Sequence, residues 1–348
     1  MKILHIIFSF TRGGTETMLV DIVNEQAARG HNVELLIINS AIDIELLSNI
    51  SPKVTVCRFN RKEGSMPLLL MARLNLFVLK HNPDIIHLHN SNISGLLRIR
   101  RKATIYTVHA LNISMKYCHT NYMAAISDAV KEDVTSRVKN AKIRVIANGI
   151  NFDKIKHRPK NVSLTTFHIV QVGRLVADLK GQDILIDALS ILEKRGYNAD
   201  VTFIGDGRDL NSLKQQAEKL GIADKVTFSG NLCRTEVYAT LKNFDIMCHP
   251  SRSEGFGLTI AEGMAAGLPL ALPAEGGPWE VADRGKLCES FTSDDASACA
   301  DAIARIIDNY PEALKRAEEG YKHANANYSV RRMVTEYEHY YSDILSNR

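Results

Sequence analysis

The chain has 348 residues, which favours two domains, since typical domains run to roughly 100–150 residues. Hydrophobic residues make up 45% and charged residues 24%, as in an ordinary globular protein, and no apolar run approaches the roughly 20 residues of a membrane-spanning helix. The six cysteines lack paired spacing, which fits reduced thiols in the cytosol and argues against a cysteine-based metal site. The N-terminal MKILHIIFSF is typical of a buried strand, not of a signal peptide.

Charge is divided unevenly along the chain. Residues 1–160 hold 23 Lys and Arg against 12 Asp and Glu, and the remainder holds 20 against 27. The first part is therefore basic and the second acidic, within a net charge of +4. Such asymmetry often marks a half that meets an anionic partner, with chance clustering as the alternative.

The first part alternates predicted strands and helices. The strands are Ile3–Phe10, Val33–Ile38, Val54–Phe59, Ile85–Leu88, Ala103–Val108, Met123–Ile126 and Ile143–Ile146. The helices are Glu16–Arg29, Pro67–His81 and a segment that Ser127 caps and that ends at Val138. This alternation predicts a parallel sheet covered on both faces.

The pattern restarts after a polar stretch at residues 154–166. Further strands are predicted at Phe167–Val172, Val201–Ile204, Val226–Phe228, Ile246–Cys248 and Pro269–Leu272, with a helix over Gly181–Gly196. The fold class is therefore α/β, with two doubly wound, Rossmann-like domains facing a cleft: residues 1–160 and residues 161–330. The last helix, in residues 331–348, is expected to pack back on the first domain. Ligands bind such sheets at the carboxyl ends of the strands.

Two carboxylates lie close together in HPSRSEGFGLTIAEGMAAG, residues 249–267. Glu254 precedes a glycine-rich turn, and Glu262 falls one turn into a helix predicted from Leu258. Unpaired N–H groups at a helix N-terminus favour a phosphate, and carboxylates accept hydrogen bonds from hydroxyls. The segment therefore suits a nucleotide-sugar. The alternative is a purely structural role, in which one glutamate is buried and the other caps the helix.

Several motifs follow one another over nearly the whole length. They are Gly13–Gly14–Thr15–Glu16, His109 at a strand end, Asn148–Gly149–Ile150, Val172–Gly173–Arg174–Leu175 through Lys180–Gly181, Gly205–Asp206–Gly207, Pro250–Ser251 through Glu254–Gly255–Phe256–Gly257–Leu258 to Glu262, and Gly276–Gly277 with Glu280. With these motifs the chain resembles the retaining glycosyltransferases of family 4, also called glycosyltransferase group 1, which have the two-domain GT-B fold.

The resemblance implies a role for each matching residue. Arg174 and Lys180 would bind the donor diphosphate and neutralise charge as the sugar departs. Glu254 would lie beside the donor sugar and its phosphate, and Glu262 would bind the ribose hydroxyls. His109 would contact the transferred sugar at the reaction centre. The alternatives are surface charges for Arg174 and Lys180 and a structural histidine at position 109.

The remaining implied donor-binding positions are mostly glycines. Gly13 and Gly14 would let the first loop approach the donor phosphate, with a plain turn as the alternative. The others are Gly255, Phe256, Gly257, Leu258, Gly276 and Gly277.

No metal or cofactor is expected. His87 and His89 alternate on a strand and share a face, which suggests metal ligands, but no nearby Cys, Asp or Glu completes a set. We therefore interpret both as structural. The chain also lacks an Asp-x-Asp motif, the usual metal carrier of the other large glycosyltransferase fold, so we expect metal-independent chemistry.

The resulting hypothesis is a cytoplasmic, retaining hexosyltransferase. It would move a sugar from a nucleotide diphosphate donor, a UDP-sugar in preference to GDP-mannose, to a growing glycan of lipopolysaccharide, O-antigen or capsule. A nicotinamide-dependent oxidoreductase is disfavoured because no Gly-x-Gly-x-x-Gly follows a strand. A non-catalytic nucleotide-sugar binder, and a transferase with a soluble acceptor, remain the alternatives.

The acceptor is expected to be a glycan, free or lipid-linked, and no nucleic-acid partner is expected. The basic run Arg98, Arg100, Arg101 and Lys102 follows the apolar stretch from Ile93 to Leu97. We expect this part of the first domain to dock peripherally on the anionic inner leaflet of the membrane.

Overall fold

The computed structural model describes residues 1–11, 13–64, 67–99, 103–120, 122–138, 142–158 and 165–346. The chain divides into two compact units. Unit 1 comprises Met1–Ile150 together with Val330–Arg348, and unit 2 comprises Asn151–Ser329. The division falls between Ile150 and Asn151, earlier than the boundary at residue 160 that the polar stretch suggested.

Unit 1 is built on a seven-stranded parallel sheet in the order β3-β2-β1-β4-β5-β6-β7. Its strands are β1 (Lys2–Ile7), β2 (Asn32–Asn39), β3 (Thr55–Arg61), β4 (Ile85–Leu88), β5 (Ala103–Val108), β6 (Tyr122–Ala125) and β7 (Lys142–Val145). Its helices include α1 (Gly14–Ala28), α2 (Ile44–Ser48), α3 (Pro67–His81), α4 (Asp128–Arg137) and the C-terminal helix (Val330–Ser346). The strand order reverses between β1 and β4, where a doubly wound sheet opens its ligand crevice.

The C-terminal helix completes the core of unit 1. Met333, Tyr337 and Tyr341 are fully buried among residues of the sheet and of α1. The tyrosine hydroxyls all find partners: that of Tyr340, for example, donates to the Lys142 carbonyl over 2.7 Å. Buried tyrosines with satisfied hydroxyls combine a large apolar contact with a specific orientation, which attaches this distant segment firmly to unit 1.

Unit 2 repeats the architecture with six parallel strands in the order β10-β9-β8-β11-β12-β13. The strands are β8 (Phe167–Val172), β9 (Ala199–Ile204), β10 (Val226–Phe228), β11 (Ile246–Cys248), β12 (Leu270–Pro273) and β13 (Glu289–Phe291). The helices are α5 (Ala177–Lys180), α6 (Gln182–Lys194), α7 (Leu210–Lys219), α8 (Arg234–Thr240), α9 (Leu258–Ala265), α10 (Gly276–Val281), α11 (Ala296–Asp308) and α12 (Tyr310–Asn327).

The predicted α/β class with two doubly wound sheets is confirmed by these parallel sheets. Among the elements that the sequence analysis did not predict, β13 and α5 have three and four residues, too few for a periodic pattern to reveal. The analysis also did not name α2, α11 and α12. Ser127 caps α4 as predicted, and its hydroxyl accepts a hydrogen bond of 3.1 Å from the Val130 N–H.

The apolar stretch before the basic run is buried at Ile93 and only partly exposed at Leu96 and Leu97. Ile93 is fully buried within a 3₁₀ turn over Ser91–Leu96, because its side chain packs into unit 1. The expectation that Ile93 dips into a membrane is therefore wrong. Arg98 is exposed, whereas Arg100, Arg101 and Lys102 lie outside the described residues.

A different apolar surface is exposed in unit 1. Leu68, Leu69, Leu76 and Leu79 of α3 are each at least 60% exposed. At about 100° per residue these four side chains project from one side of the helix. Among the described helices, α3 included, none has the length and apolar composition needed to cross a membrane.

Candidate active site

The predicted donor residues of unit 2 follow two neighbouring strands. β8 pairs with β9 on one side and with β11 on the other, so the strand order reverses between β8 and β11. The segment after β8 carries Arg174 and Lys180, and the segment after β11 carries Glu254. Both segments therefore begin at the topological switch point, where open α/β sheets bind ligands.

Two buried glutamines hold the segment after β8 in place. The side-chain amide of Gln171 donates to the Lys180 carbonyl over 2.7 Å, and that of Gln182 donates to the Arg174 carbonyl over 3.0 Å. Both glutamines are almost completely buried. The main chain at Arg174 and Lys180 is thus fixed, while the Arg174 side chain is exposed and makes no ion pair within the described part of the chain.

Lys180 and Glu254 form an ion pair across the switch point. The ammonium nitrogen of Lys180 contacts Oε2 of Glu254, and the two side chains are 22% and 21% exposed. Burial alone would raise the pKa of Glu254, but the adjacent His249 ring and the Lys180 ammonium outweigh it and lower the pKa to about 2. Glu254 is therefore ionised throughout the physiological range.

His249 lies behind this ion pair. Its ring is 1% exposed, and neither ring nitrogen has a well-formed hydrogen bond among the described residues. Nε2 lies 3.5 Å from Oε2 of Glu254, at the outer limit of hydrogen bonding. Burial lowers the pKa of His249, so this ring is neutral at pH 7 and places a polarisable group against the carboxylate.

Glu262 lies in the second turn of α9 and is only 9% exposed. The hydroxyl of Tyr238 on α8 donates to Oε1 of Glu262 over 3.1 Å. Nε of Arg234 in turn donates to the Tyr238 hydroxyl over 2.5 Å. Glu262 is therefore oriented by a tyrosine from a neighbouring helix.

The Gly276–Gly277 turn packs directly on the loop after β11. The Gly277 N–H donates to the Glu254 carbonyl over 3.2 Å. A Cβ at position 277 would lie 2.5 Å from main-chain atoms of Gly255 and Phe256, which leaves room only for glycine. Gly257, in the left-handed conformation, begins α9 without a side-chain cap. The N–H groups of Ile260 and Ala261 donate to the Gly257 carbonyl, which leaves those of Leu258 and Thr259 without an acceptor inside the helix.

In unit 1, Gly13 and Gly14 begin α1. Gly13 is the N-cap residue and has extended backbone without a side-chain cap, and Glu16 is the acidic residue of the first turn. Oε2 of Glu16 lies 2.6 Å from where a Cβ of residue 13 would be. The carboxylate of Glu16 therefore already faces the glycine turn that the resemblance assigns to a phosphate.

His109 follows β5 and lines a cavity of about 500 Å³ in unit 1. Thr15, Glu16, Asn90 and Tyr117 also line this cavity. Burial lowers the pKa of His109 to about 3, so the ring is neutral. The cavity provides polar groups from both sides of the β1–β4 switch point.

Three buried histidines converge at this cavity, which one of them, His89, lines. His5 and His87 are register partners on β1 and β4, and one nitrogen from each of His5, His87 and His89 lies within 4.8 Å of the others. The sequence analysis did not include His5, because pairing between strands far apart in the chain was needed to bring it to His87. The three rings could thus supply ligands of the type that zinc prefers.

Two family sequence models match the chain in succession. The model of Glycosyltransferase Family 4 matches residues 12–154, and that of Glycosyl transferases group 1 matches residues 153–323. The chain belongs to the family 4 glycosyltransferases. Its two parallel sheets with flanking helices and its similarity to solved glycosyltransferase structures show the GT-B fold.

The relatives of this chain differ in the share of their own length that aligns with it. The glycosyltransferase LpsD of lipopolysaccharide core biosynthesis from Rhizobium meliloti is 28% identical over 340 residues, 92% of each chain. A glycogen synthase of Mycobacterium tuberculosis is 29% identical over 195 residues, so the match spans 56% of this chain and only 47% of the synthase. The crystal structure of Anabaena Alr3699/HepE with UDP and glucose superposes with a TM-score of 0.81 at 23% identity, covering 98% of this chain and 99% of that one.

Sequence reasoning missed several residues of the candidate site. Gln171 and Gln182 flank the Arg174–Lys180 segment and are buried. A glutamine within an apolar strand or helix, close to a glycine turn, is the sequence signal that could have found them. Tyr238 lies on a helix with no motif of its own. The pairing of Lys180 with Glu254 required the β8–β11 neighbourhood, which local patterns do not contain.

Proposed function

We propose that this glycosyltransferase transfers a sugar from a nucleotide diphosphate donor to a hydroxyl of a growing glycan, with retention of the anomeric configuration. The observation that carries this proposal is the Lys180–Glu254 ion pair at the switch point of unit 2, with the exposed Arg174 on the same segment as Lys180. Two cations and a carboxylate there match a ligand that combines a diphosphate with sugar hydroxyls.

Each donor group has a proposed partner. Arg174 and Lys180 bind the diphosphate, and the uncapped N-terminus of α9 contributes N–H groups to the same anion. Glu262, oriented by Tyr238, accepts hydrogen bonds from the ribose hydroxyls. Glu254 accepts hydrogen bonds from hydroxyls of the transferred sugar, because its carboxylate stays ionised.

The reaction breaks the bond between the anomeric carbon and the phosphate oxygen. A new bond forms from the acceptor oxygen to the same carbon on the same face, and the acceptor proton passes to the departing phosphate. Arg174 and Lys180 stabilise the negative charge that develops on that phosphate. These two cations supply the stabilisation that a metal ion gives in other transferases, so the proposed reaction requires no metal.

A UDP-sugar is the preferred donor, and GDP-mannose is the alternative. The support is the solved structure of Anabaena Alr3699/HepE, which contains UDP and glucose. A thermal-shift screen of UDP- and GDP-sugars tests the choice, because a ligand bound to the native state raises the melting temperature by mass action. A melting temperature that no nucleotide-sugar raises would contradict the proposal.

Turnover separates an enzyme from a non-catalytic nucleotide-sugar binder. Labelled UDP-sugar is incubated with the protein and with lipid-linked or soluble glycan acceptors, and the anomeric configuration of the product is read by NMR. We expect transfer with retention. Tight donor binding without transfer to any acceptor would favour the binder, and inversion would contradict the proposed stereochemistry.

The proposed acceptor is a lipid-linked glycan of lipopolysaccharide, O-antigen or capsule. Its support is the similarity to LpsD over 92% of both chains. The proposal includes a cytoplasmic location with peripheral contact to the anionic inner leaflet. A soluble glycan is the alternative acceptor.

The contact with the membrane is assigned to α3. Leu68, Leu69, Leu76 and Leu79 are exposed on one side of this helix, and α3 contains no acidic residue. Arg73 and Lys80 are exposed beside them. An apolar face flanked by cations suits the boundary between acyl chains and anionic headgroups. We propose this anionic lipid surface as the occupant of the α3 face.

A further inference from the structure

A continuous row of hydrogen bonds runs from the core of unit 1 to its cavity. Nε2 of His5 lies 2.8 Å from Oε1 of Gln26, and Nδ1 of His5 lies 3.0 Å from Nε2 of His89. Nδ1 of His89 lies 3.1 Å from Nε2 of His109. Gln26, His5 and His89 are at most 3% exposed, and His109 lines the cavity. The proposed reaction uses none of the three buried members of this row.

All three rings are neutral at pH 7. Burial lowers the pKa of His5 to about 4, against a weaker opposing effect of the bond to Gln26, and lowers that of His109 to about 3. Burial and the neighbouring histidines hold the pKa of His89 well below its ordinary range. A neutral imidazole has one N–H donor and one bare nitrogen acceptor, so each ring must present one of each.

The orientation of Gln26 sets the direction of the row. Its Nε2 faces the Tyr341 hydroxyl at 3.4 Å, so its carbonyl oxygen faces His5. An amide oxygen only accepts, hence Nε2 of His5 carries the proton and Nδ1 of His5 is an acceptor. His89 must then donate from Nε2, which leaves its Nδ1 to accept from Nε2–H of His109.

We infer that Gln26, His5 and His89 are positioning residues that fix His109 as its Nε2–H tautomer and leave Nδ1 as a bare acceptor. Nδ1 has no partner within the described residues, and the ring lines the cavity. A bare nitrogen accepts from a hydroxyl and repels a carboxylate or phosphate oxygen. Such an acceptor suits a sugar hydroxyl, in keeping with the contact that the resemblance implies for His109, and the identity of this ligand rests on the proposed function.

The hydrogen bonds also weigh against a metal among these rings. Two of the nitrogens nearest one another, Nδ1 of His5 and Nε2 of His89, share one proton at 3.0 Å. A bound cation would have to displace that proton and break the row. A bound metal would leave no proton between Nδ1 of His5 and Nε2 of His89, whereas the row of hydrogen bonds places a proton on Nε2 of His89.

Nitrogen-15 NMR of the full chain labelled at histidine tests the inference without substrate. The Nδ1 and Nε2 shifts and their coupling to ring protons identify each tautomer, and the His109→Gln variant assigns the His109 signals. We expect the neutral Nε2–H form at His5, His89 and His109. An Nδ1–H form at His109, or a charged ring at neutral pH, would overturn the inference, as would signals that move on adding zinc.

A pair of variants tests the control by Gln26. Gln26→Leu removes the acceptor of His5, so the row loses its direction and His109 should become a mixture of tautomers. Tyr337→Phe removes a different buried polar group, a hydroxyl 3.0 Å from Thr107, and should leave the His109 tautomer unchanged. An unchanged tautomer in Gln26→Leu overturns the positioning role. If that variant does not fold, the tautomers of the unaltered protein still decide.

Kinetics extend the same comparison. Gln26→Leu should lower kcat/KM for transfer about two- to tenfold, in proportion to the fraction of the population in which His109 presents a donor where an acceptor is needed. UDP affinity should not change, because the proposed nucleotide site lies in unit 2. If the protein shows the expected tautomers but no transferase activity, the proposed function is contradicted, whereas the positioning role of Gln26, His5 and His89 is not.

Discussion

Lys180 and Glu254 are 74 residues apart in the sequence, and in unit 2 their side chains form an ion pair. Each follows a strand that borders the switch point, so the parallel order of β8 and β11 brings them together. A free enzyme that already pairs this cation with this carboxylate holds both side chains in place before a donor arrives. In the proposed complex Lys180 turns toward the diphosphate, while Glu254 keeps its charge for the sugar.

Removing either cation should impair transfer. In Arg174→Ala and Lys180→Ala we expect turnover to fall several tens-fold or more with the fold intact, because one charge-assisted contact to a leaving group is worth roughly 2–4 kcal/mol. Steady-state kinetics with labelled donor measure the change. Arg195→Ala is the matched control, since Arg195 is an exposed arginine of unit 2 that follows α6 and pairs with Asp301, outside the motif segments. Wild-type turnover in Arg174→Ala would refute the assignment of Arg174 to the donor diphosphate.

The two carboxylates should divide the donor between them. Glu262→Gln should weaken binding of free UDP or GDP, because Glu262 is assigned to the ribose, whereas Glu254→Gln should spare nucleotide affinity and lower turnover. Tyr238→Phe removes the hydroxyl that donates to Glu262 and should weaken UDP binding about two- to tenfold, as the loss of one hydrogen bond costs roughly 0.5–1.5 kcal/mol. Isothermal titration with UDP measures the affinity of all three variants. Equal losses of UDP affinity in Glu254→Gln and Glu262→Gln would exclude the assignment of the two carboxylates to different parts of the donor.

How much of this site the sequence predicts depends on the range of the contacts. The strand ends and the motif residues follow from local alternation of apolar and turn residues, so Arg174, Lys180 and Glu254 could be assigned to one edge of a parallel sheet. The partners that orient them come from elsewhere. Tyr238 reaches Glu262 from another helix, and His5 reaches His87 only through the register of β1 with β4.

Acid should weaken unit 2 through Glu254. The folded pKa of about 2 lies below the ordinary value of 4.5, so the ionised carboxylate stabilises the fold above about pH 4.5, and this stabilisation is lost as pH falls toward 2. Glu254→Gln lacks the titrating group. The difference in unfolding free energy between wild type and Glu254→Gln should therefore shrink from pH 5 toward pH 3, as urea denaturation can measure. A difference independent of pH would mean that the ion pair does not depress this pKa.

Activity should survive metal removal. The proposed chemistry uses Arg174 and Lys180 where other transferases use a cation, so incubation with excess EDTA followed by gel filtration should leave turnover unchanged. Metal analysis of the treated protein provides the control. Complete loss that zinc or magnesium reverses would contradict metal independence, and His5, His87 and His89 would then be the first ligands to substitute.

The α3 face should bind anionic membranes. Two exposed leucines and two flanking cations are changed separately, in Leu69→Ser/Leu76→Ser and in Arg73→Ser/Lys80→Ser. Each pair should reduce co-sedimentation with vesicles of phosphatidylglycerol and phosphatidylethanolamine, since buried apolar area and about 1 kcal/mol for each basic residue near the surface both contribute. Raising the salt should weaken binding of the unaltered protein, because the charges are screened over about 8–10 Å.

Ile44→Ser is the matched control, as Ile44 is 66% exposed on α2, away from α3 in the sequence. Equal sedimentation with neutral vesicles, or none with anionic ones, would exclude the docking surface and leave a soluble glycan as the proposed acceptor.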